Sequence, residues 1–88
     1  VNWKIDMSAS ADRSLSRLPE RYAAAIVEFI LGPLRENPHR LGKSLHGDYN
    51  GLHSARRAEF RVIYRISQDE GIIHVAYIDL RAHSYRRR

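Results

Sequence analysis

The hydrophobic pattern of this 88-residue chain leaves its helical period for good around Asn37-Pro38. That change restricts the fold more than any other feature. Ahead of it, after one short alternating segment, apolar residues recur at three- and four-residue intervals, the spacing of a helix with one buried face. Beyond it they recur at every second residue, the spacing of strands.

The alternating segment comes first. Trp3, Ile5 and Met7 interleave with Lys4 and Asp6, which predicts a strand with one covered face. Ser8 or Ser10 then supplies a hydroxyl able to cap a helix. Ala11, Leu15 and Leu18 give that helix its apolar stripe, and Pro19 ends it. Pro19 and Glu20 also suit the first turn of a second helix, where a missing N–H is harmless and a carboxylate meets the positive end of the dipole. Tyr22, Ile26, Phe29, Ile30 and Leu34 form its expected buried stripe. Gly32-Pro33 is expected to bend or interrupt it, because proline removes a hydrogen bond and crowds the preceding turn.

From Asn37 to about Gly51 the sequence is rich in turn residues and reads as one long connection. Leu52 to Arg57 then predicts a strand. Phe60, Val62, Tyr64 and Ile66 alternate with Arg61, Ile63 and Arg65 in the next, and Ile72 to Leu80 makes the last and most apolar one. Ala58-Glu59 joins the first two of these strands without the glycine or asparagine that tight hairpin turns favour. The order is β-α-α-β-β-β. We therefore expect an α+β fold: an N-terminal strand, a helical hairpin, and a three-strand antiparallel meander completing a four-stranded sheet. Residues 1–88 are expected to make one domain, with a basic tail from about residue 81.

Composition narrows the chemistry. Without cysteine there is no disulfide, no thiolate metal site and no cysteine nucleophile. His39, His46, His53, His74 and His83 match neither a zinc-finger nor an HExxH spacing, and no glycine-rich phosphate loop is present. Neither a metal nor any other cofactor is expected. No apolar run approaches the roughly 20 residues of a membrane span and no signal peptide is evident, so a cytoplasmic location and no membrane partner are expected.

The net charge is +5. Residues 1–38 carry five basic and five acidic side chains, whereas residues 39–88 carry ten and five, so the whole surplus lies in the second part. A nucleic acid is the leading partner for such an excess. An acidic protein or an anionic membrane fits the composition as well.

Arg61 and Arg65, an even number of residues apart, leave their strand on the same side, opposite Phe60, Val62, Tyr64 and Ile66. With Arg57 nearby in sequence they repel one another, a cost that polyanion binding offsets; a solvated basic face is the plain alternative. Arg81, His83 and Tyr85 alternate just after the last strand and, if extended, share one direction. Arginine offers paired donors to phosphate oxygens, tyrosine stacks on bases, and histidine carries protons near neutral pH. The RNA's own 2′-hydroxyl is the natural nucleophile for such a set.

Residues 51–64, GLHSARRAEFRVIY, resemble the GLxxxRxGDYRVIY-type segment of the RelE/ParE superfamily of bacterial toxins. Asn37-Pro38, Leu41-Gly42-Lys43-Ser44-Leu45 and Gly47 resemble its NPxxxGKxLxG approach, and Arg81 to Arg86 its RxxxY-like ending. The resemblance extends over essentially the whole chain.

It implies a toxin of a type II toxin–antitoxin system that cleaves messenger RNA in the ribosomal A site, with the ribosome and a cognate antitoxin as partners. Arg61, Arg81 and Tyr85 match the family's catalytic positions. Arg61 would stabilise the transition-state phosphate, Arg81 would contact the phosphate or the leaving oxygen, and Tyr85 would position a base or assist proton transfer. Where ribosome-dependent relatives carry lysines, this chain has His53, Arg56 and Arg57, so His53 and His83 become candidate acid/base groups. Arg40, Lys43, Arg56, Arg57, Arg65, Arg86, Arg87 and Arg88 are candidate contacts to RNA or ribosome. A ParE-like inhibitor of DNA gyrase and a non-catalytic basic RNA-binding module are the alternatives. Retention of the arginines and the tyrosine favours the nuclease.

Overall fold

The computed structural model describes residues 3–80. In chain order these are β1 (Lys4–Met7), α1 (Ala9–Ser16), α2 (Glu20–Phe29), a π-helical turn (Ile30–Leu34), α3 (Pro38–Leu41), β2 (Lys43–Ser44), a 3-10 turn (Gly47–Tyr49), β3 (His53–Arg57), β4 (Phe60–Ser67) and β5 (Ile72–Asp79). The strands form one sheet in the order β1-β5-β4-β3-β2, with β1 parallel to β5 and every other pair antiparallel.

The α+β architecture and the meander match the expectation, but the sheet has five strands rather than four. The extra one is β2, where Lys43 and Ser44 pair with Ser54 and His53. Two residues are too few to carry an alternating pattern, so the segment reads as loop in sequence. The stretch expected as one connection thus contains a helical turn and an edge strand.

Ser8 is the cap that starts α1. Its hydroxyl accepts the Ala11 N–H at 3.0 Å and donates to the Ala76 carbonyl. That second bond matters because Ala76 is the residue skipped in the β4–β5 ladder, where Ile63 pairs with Tyr77 and Tyr64 with Val75. The skip is a bulge. It lets Ile73, Val75 and Ile78 all face the core, although strict alternation would turn Ile78 outward.

Ile26, Ile30 and Leu34 bury the helical stripe against Val62, Tyr64 and Ile73. Tyr22, expected in that stripe, is 39% exposed and instead rests its ring against Phe60 at 5.9 Å. Gly32-Pro33 interrupts the α-helix as expected, α2 giving way to the π-helical turn that holds Pro33. The backbone widens, and the Arg35 N–H returns to the Ile30 carbonyl five residues back.

Tyr64 is fully buried, and its hydroxyl donates to the Pro38 carbonyl at 2.6 Å. That bond ties α3 to the middle of the sheet. Burial pushes the Tyr64 phenol up to about 12, partly offset by the Gly42 backbone N–H that also reaches it. The β3–β4 hairpin closes on Ala58-Glu59, with Ala58 at φ 57, a left-handed conformation uncommon outside glycine, asparagine and aspartate.

Candidate functional site

The helices cover one face of the sheet. On the other, the ladder register lines up two rows of side chains. Lys43, Ser54, Ile63 and Tyr77 lie side by side across β2, β3, β4 and β5, and in the next row Arg56, Arg61 and Asp79 cross β3, β4 and β5. Neighbours in a row are about 5 Å apart and the rows about 7 Å, so the seven groups share one patch.

The patch is not flat. A cationic depression of about 350 Å³ is lined by Lys43, Arg56 and Arg61 together with Leu41, Leu45 and Ser54. Arg61 and Ser54 also line a second hollow of about 180 Å³, whose other walls include Tyr49, Ile63 and Tyr77. Arg61 is half-buried between the two. Arg56 stands directly across from it and donates its Nε–H to the Ala58 carbonyl at 3.1 Å. Like charges paired directly across a ladder repel, while Asp79 stands across from Arg61 on its other side.

The other candidates divide between the two faces. Arg65 lies on the open face, exposed, across from His74. The His74 Nδ1 is 2.8 Å from the Asp6 carboxylate, so this end of the face is already provided with negative charge. Arg40 is exposed on α3. Arg57 is paired with Phe60 and faces the helices; with Arg56 it edges a groove beside Glu28, Phe29 and Pro33. It is therefore Arg56, not Arg57, that stands beside Arg61.

His53 also faces the helices. Its ring stacks on Tyr64 at 5.3 Å and its Nδ1 is buried without a hydrogen-bond partner. Burial, helped by the neighbouring His39, lowers its pKa from the ordinary histidine value. The sheet separates it from Arg61. Arg81, His83, Tyr85, Arg86, Arg87 and Arg88 lie outside the described residues.

Among the described residues no three His, Cys, Asp or Glu side chains stand close enough to share a metal ion, and no helix is long and apolar enough to cross a membrane.

Residues 5–85 match the family model of the ParE toxin of the type II toxin–antitoxin system parDE. Toxin RelE of Mycobacterium tuberculosis is 50% identical over 84 residues, covering 96% of this chain and 87% of that one. Toxin RelG of the same organism is 39% identical over 85 residues, covering 97% and 98%. The chain is a RelE-family toxin of a type II toxin–antitoxin system. Its fold agrees: the structure of the RelBE2 toxin–antitoxin complex from M. tuberculosis superposes with a TM-score of 0.87, at 37% identity over 90% of this chain and 98% of that one.

Several residues of the toxin's patch escape a sequence reading. Tyr77 sits just past the bulge, so its parity gives the wrong face unless Ala76 is skipped. Tyr49 belongs to a turn, where no periodicity exists to assign a direction. Ile63 did carry a signal: an isoleucine between two outward arginines is out of place on a solvated face, and it is in fact only 4% exposed.

Proposed function

We propose that this toxin is a ribosome-dependent endoribonuclease that cleaves messenger RNA by attack of the 2′-hydroxyl on the adjacent phosphodiester. The observation that carries the proposal is Arg61, half-buried on the open sheet face in a depression that also holds Lys43 and Arg56. The family resemblance and the similarity to proteins named RelE support it.

The chemistry follows from charge. In-line attack by the 2′-oxygen gathers negative charge on the non-bridging oxygens of a phosphorane, and a planar guanidinium matches two of them at once. A group held ready in a partly desolvated hollow stabilises that charge without reorganising at the moment of reaction. Arg81 takes the phosphate or the leaving 5′-oxygen, and Tyr85 positions a base or assists proton transfer. Arg81 follows Asp79, the register partner of Arg61, by two residues. His83 is the histidine this reading retains, because His53 lies behind the sheet. The products are a 2′,3′-cyclic phosphate and a 5′-hydroxyl.

A shallow face on so small a protein orients flexible RNA poorly, so the ribosome supplies binding and distortion of the substrate. That places the toxin's action in the cytoplasm. A cognate antitoxin holds it inactive, with acidic side chains complementary to the face that carries Lys43, Arg56 and Arg61. The RelBE2 structure from M. tuberculosis is a toxin–antitoxin complex.

The family-model description favours one second reading, inhibition of DNA gyrase in the manner of ParE. Programmed ribosomes and purified gyrase, each assayed with and without the product of the neighbouring gene, separate the two. Codon-resolved cleavage relieved by that product supports the ribonuclease. Intact message with inhibited gyrase overturns it, and 5′-phosphate ends overturn the 2′-hydroxyl route.

A further inference from the structure

Beside the cationic depression, on the other side of Arg61, lies a hollow with a different lining. Its walls are Tyr49, Tyr77, Ile63 and Leu45, and its polar edge is Ser54 and Asp79. Phosphate has no use for the aromatic walls, Tyr49 and Tyr77, that this hollow adds to the Leu45 it shares with the depression. A flat, polarisable group with a polar rim does, and in single-stranded RNA that group is the nucleobase.

Tyr49 is built to serve it. The residue is 53% exposed and lines the hollow, so a ligand there can reach it. The turn beneath it is held in shape: the Leu45 N–H bonds the Leu52 carbonyl at 2.9 Å, the Leu52 N–H bonds the Tyr49 carbonyl at 3.0 Å, and the Asn50 N–H bonds the Gly47 carbonyl at 3.1 Å. Gly47 and Gly51 take the positive φ values, 68 and 95, that this closure needs. An aromatic ring on a pre-shaped turn loses little freedom when a base stacks on it.

We infer that the hollow under Tyr49 is a nucleobase slot: Tyr49 stacks on one base of single-stranded RNA while Lys43, Arg56 and Arg61 hold the phosphates that flank it. The inference rests on the ribonuclease function proposed above and adds the residue that positions a base at the cleavage point, with the modest preference that stacking strength gives. A cationic track that abuts an aromatic hollow and shares Leu45, Ser54 and Arg61 with it matches the alternation of phosphate and base along a strand. An acidic protein segment would match the cations and leave the aromatic hollow unexplained.

The test compares wild type, Tyr49→Ala and Tyr49→Phe on ribosomes programmed with a set of messages varying the bases around the cleavage point. Thermal melting of all three confirms folding. Stacking predicts that Tyr49→Ala lowers kcat/KM about tenfold and flattens the preference at one base position, and that Tyr49→Phe stays within about twofold. Unchanged rates and preference in Tyr49→Ala, with wild type active, overturn the slot and leave the ribonuclease standing. Loss in Tyr49→Ala only of affinity for the neighbouring-gene product also overturns it. An inactive wild type removes the ribonuclease reading, and the slot with it.

Discussion

A methyl group on Gly42 would fall on the Tyr64 hydroxyl, and would still lie 3.0 Å and 3.1 Å from two ring carbons. Gly42 is thus required by close approach, not by its backbone angles. The contact joins core to function, since the next residue, Lys43, opens β2 and lines the cationic depression. Gly42→Ala is expected to cost about 1–3 kcal/mol by overpacking, and Tyr64→Phe about 1–3 kcal/mol by leaving the buried Pro38 carbonyl without its donor. In the double variant the losses should not add, because removing the hydroxyl gives the methyl part of its space. Urea unfolding of the four proteins checks this, and strict additivity refutes the coupling.

Ala58 carries a strain that glycine would not. At φ 57 its Cβ crowds the following carbonyl. Ala58→Gly is expected to stabilise the protein by about 0.5–1 kcal/mol, the relief of strain exceeding the added freedom of the unfolded chain. A raised urea midpoint with an unchanged slope is the expected result.

Most of the architecture is legible in the residues. The alternation around Trp3, the stripe of Ile26, Ile30 and Leu34, and the period-two run from Phe60 to Ile66 each obey one local rule, and neighbours in the fold reinforce them. What is not legible depends on partners distant in sequence. The bulge at Ala76 is completed by Ser8, 68 residues away, and nothing near Ala76 announces it. Lys43-Ser44 is a strand only because β3 passes alongside. The site divides in the same way. Arg61 and Arg65 show their common face through spacing, whereas Arg56 and Arg57 look equivalent until the register sets Arg56 against Arg61 and sends Arg57 to the helices.

Alkaline stability should reflect Tyr64. Its phenol is raised to about 12 from an ordinary value of 10.0, so between these values the unfolded chain has lost a proton that the folded chain keeps. Stability therefore falls as pH rises from about 10 to about 12, by about 2–3 kcal/mol in all. In Tyr64→Phe that contribution should vanish, which chemical denaturation across this range measures.

Acid stability should reflect His53. Its lowered pKa means that below about 6.5 the unfolded chain binds a proton before the folded chain does, so stability declines as pH falls. His53→Phe keeps a ring against Tyr64 and removes the buried, unpartnered Nδ1. The variant should lose the acid-side decline while remaining folded at neutral pH. Cleavage, if His53 is remote from the chemistry as the sheet implies, should keep its wild-type pH profile.

Arg61 and Arg65 share a face but not a role, and their difference tests the site most directly. They lie four residues apart on β4, about 13 Å along the strand. Arg61 is half-buried in the depression, across from Arg56 and Asp79, whereas Arg65 is exposed and across from His74. A charge fixed in a partly desolvated hollow acts on the transition state, and one in open solvent mainly attracts the substrate from a distance. Arg61→Ala should therefore lower kcat by about 100-fold or more on ribosome-bound message. Arg65→Ala should lower kcat/KM by less than about fivefold, by an amount that shrinks with added salt. Circular dichroism confirms that both variants fold. Equal, salt-sensitive losses in the two would mean that the face is a general polyanion surface and that Arg61 has no special place on it.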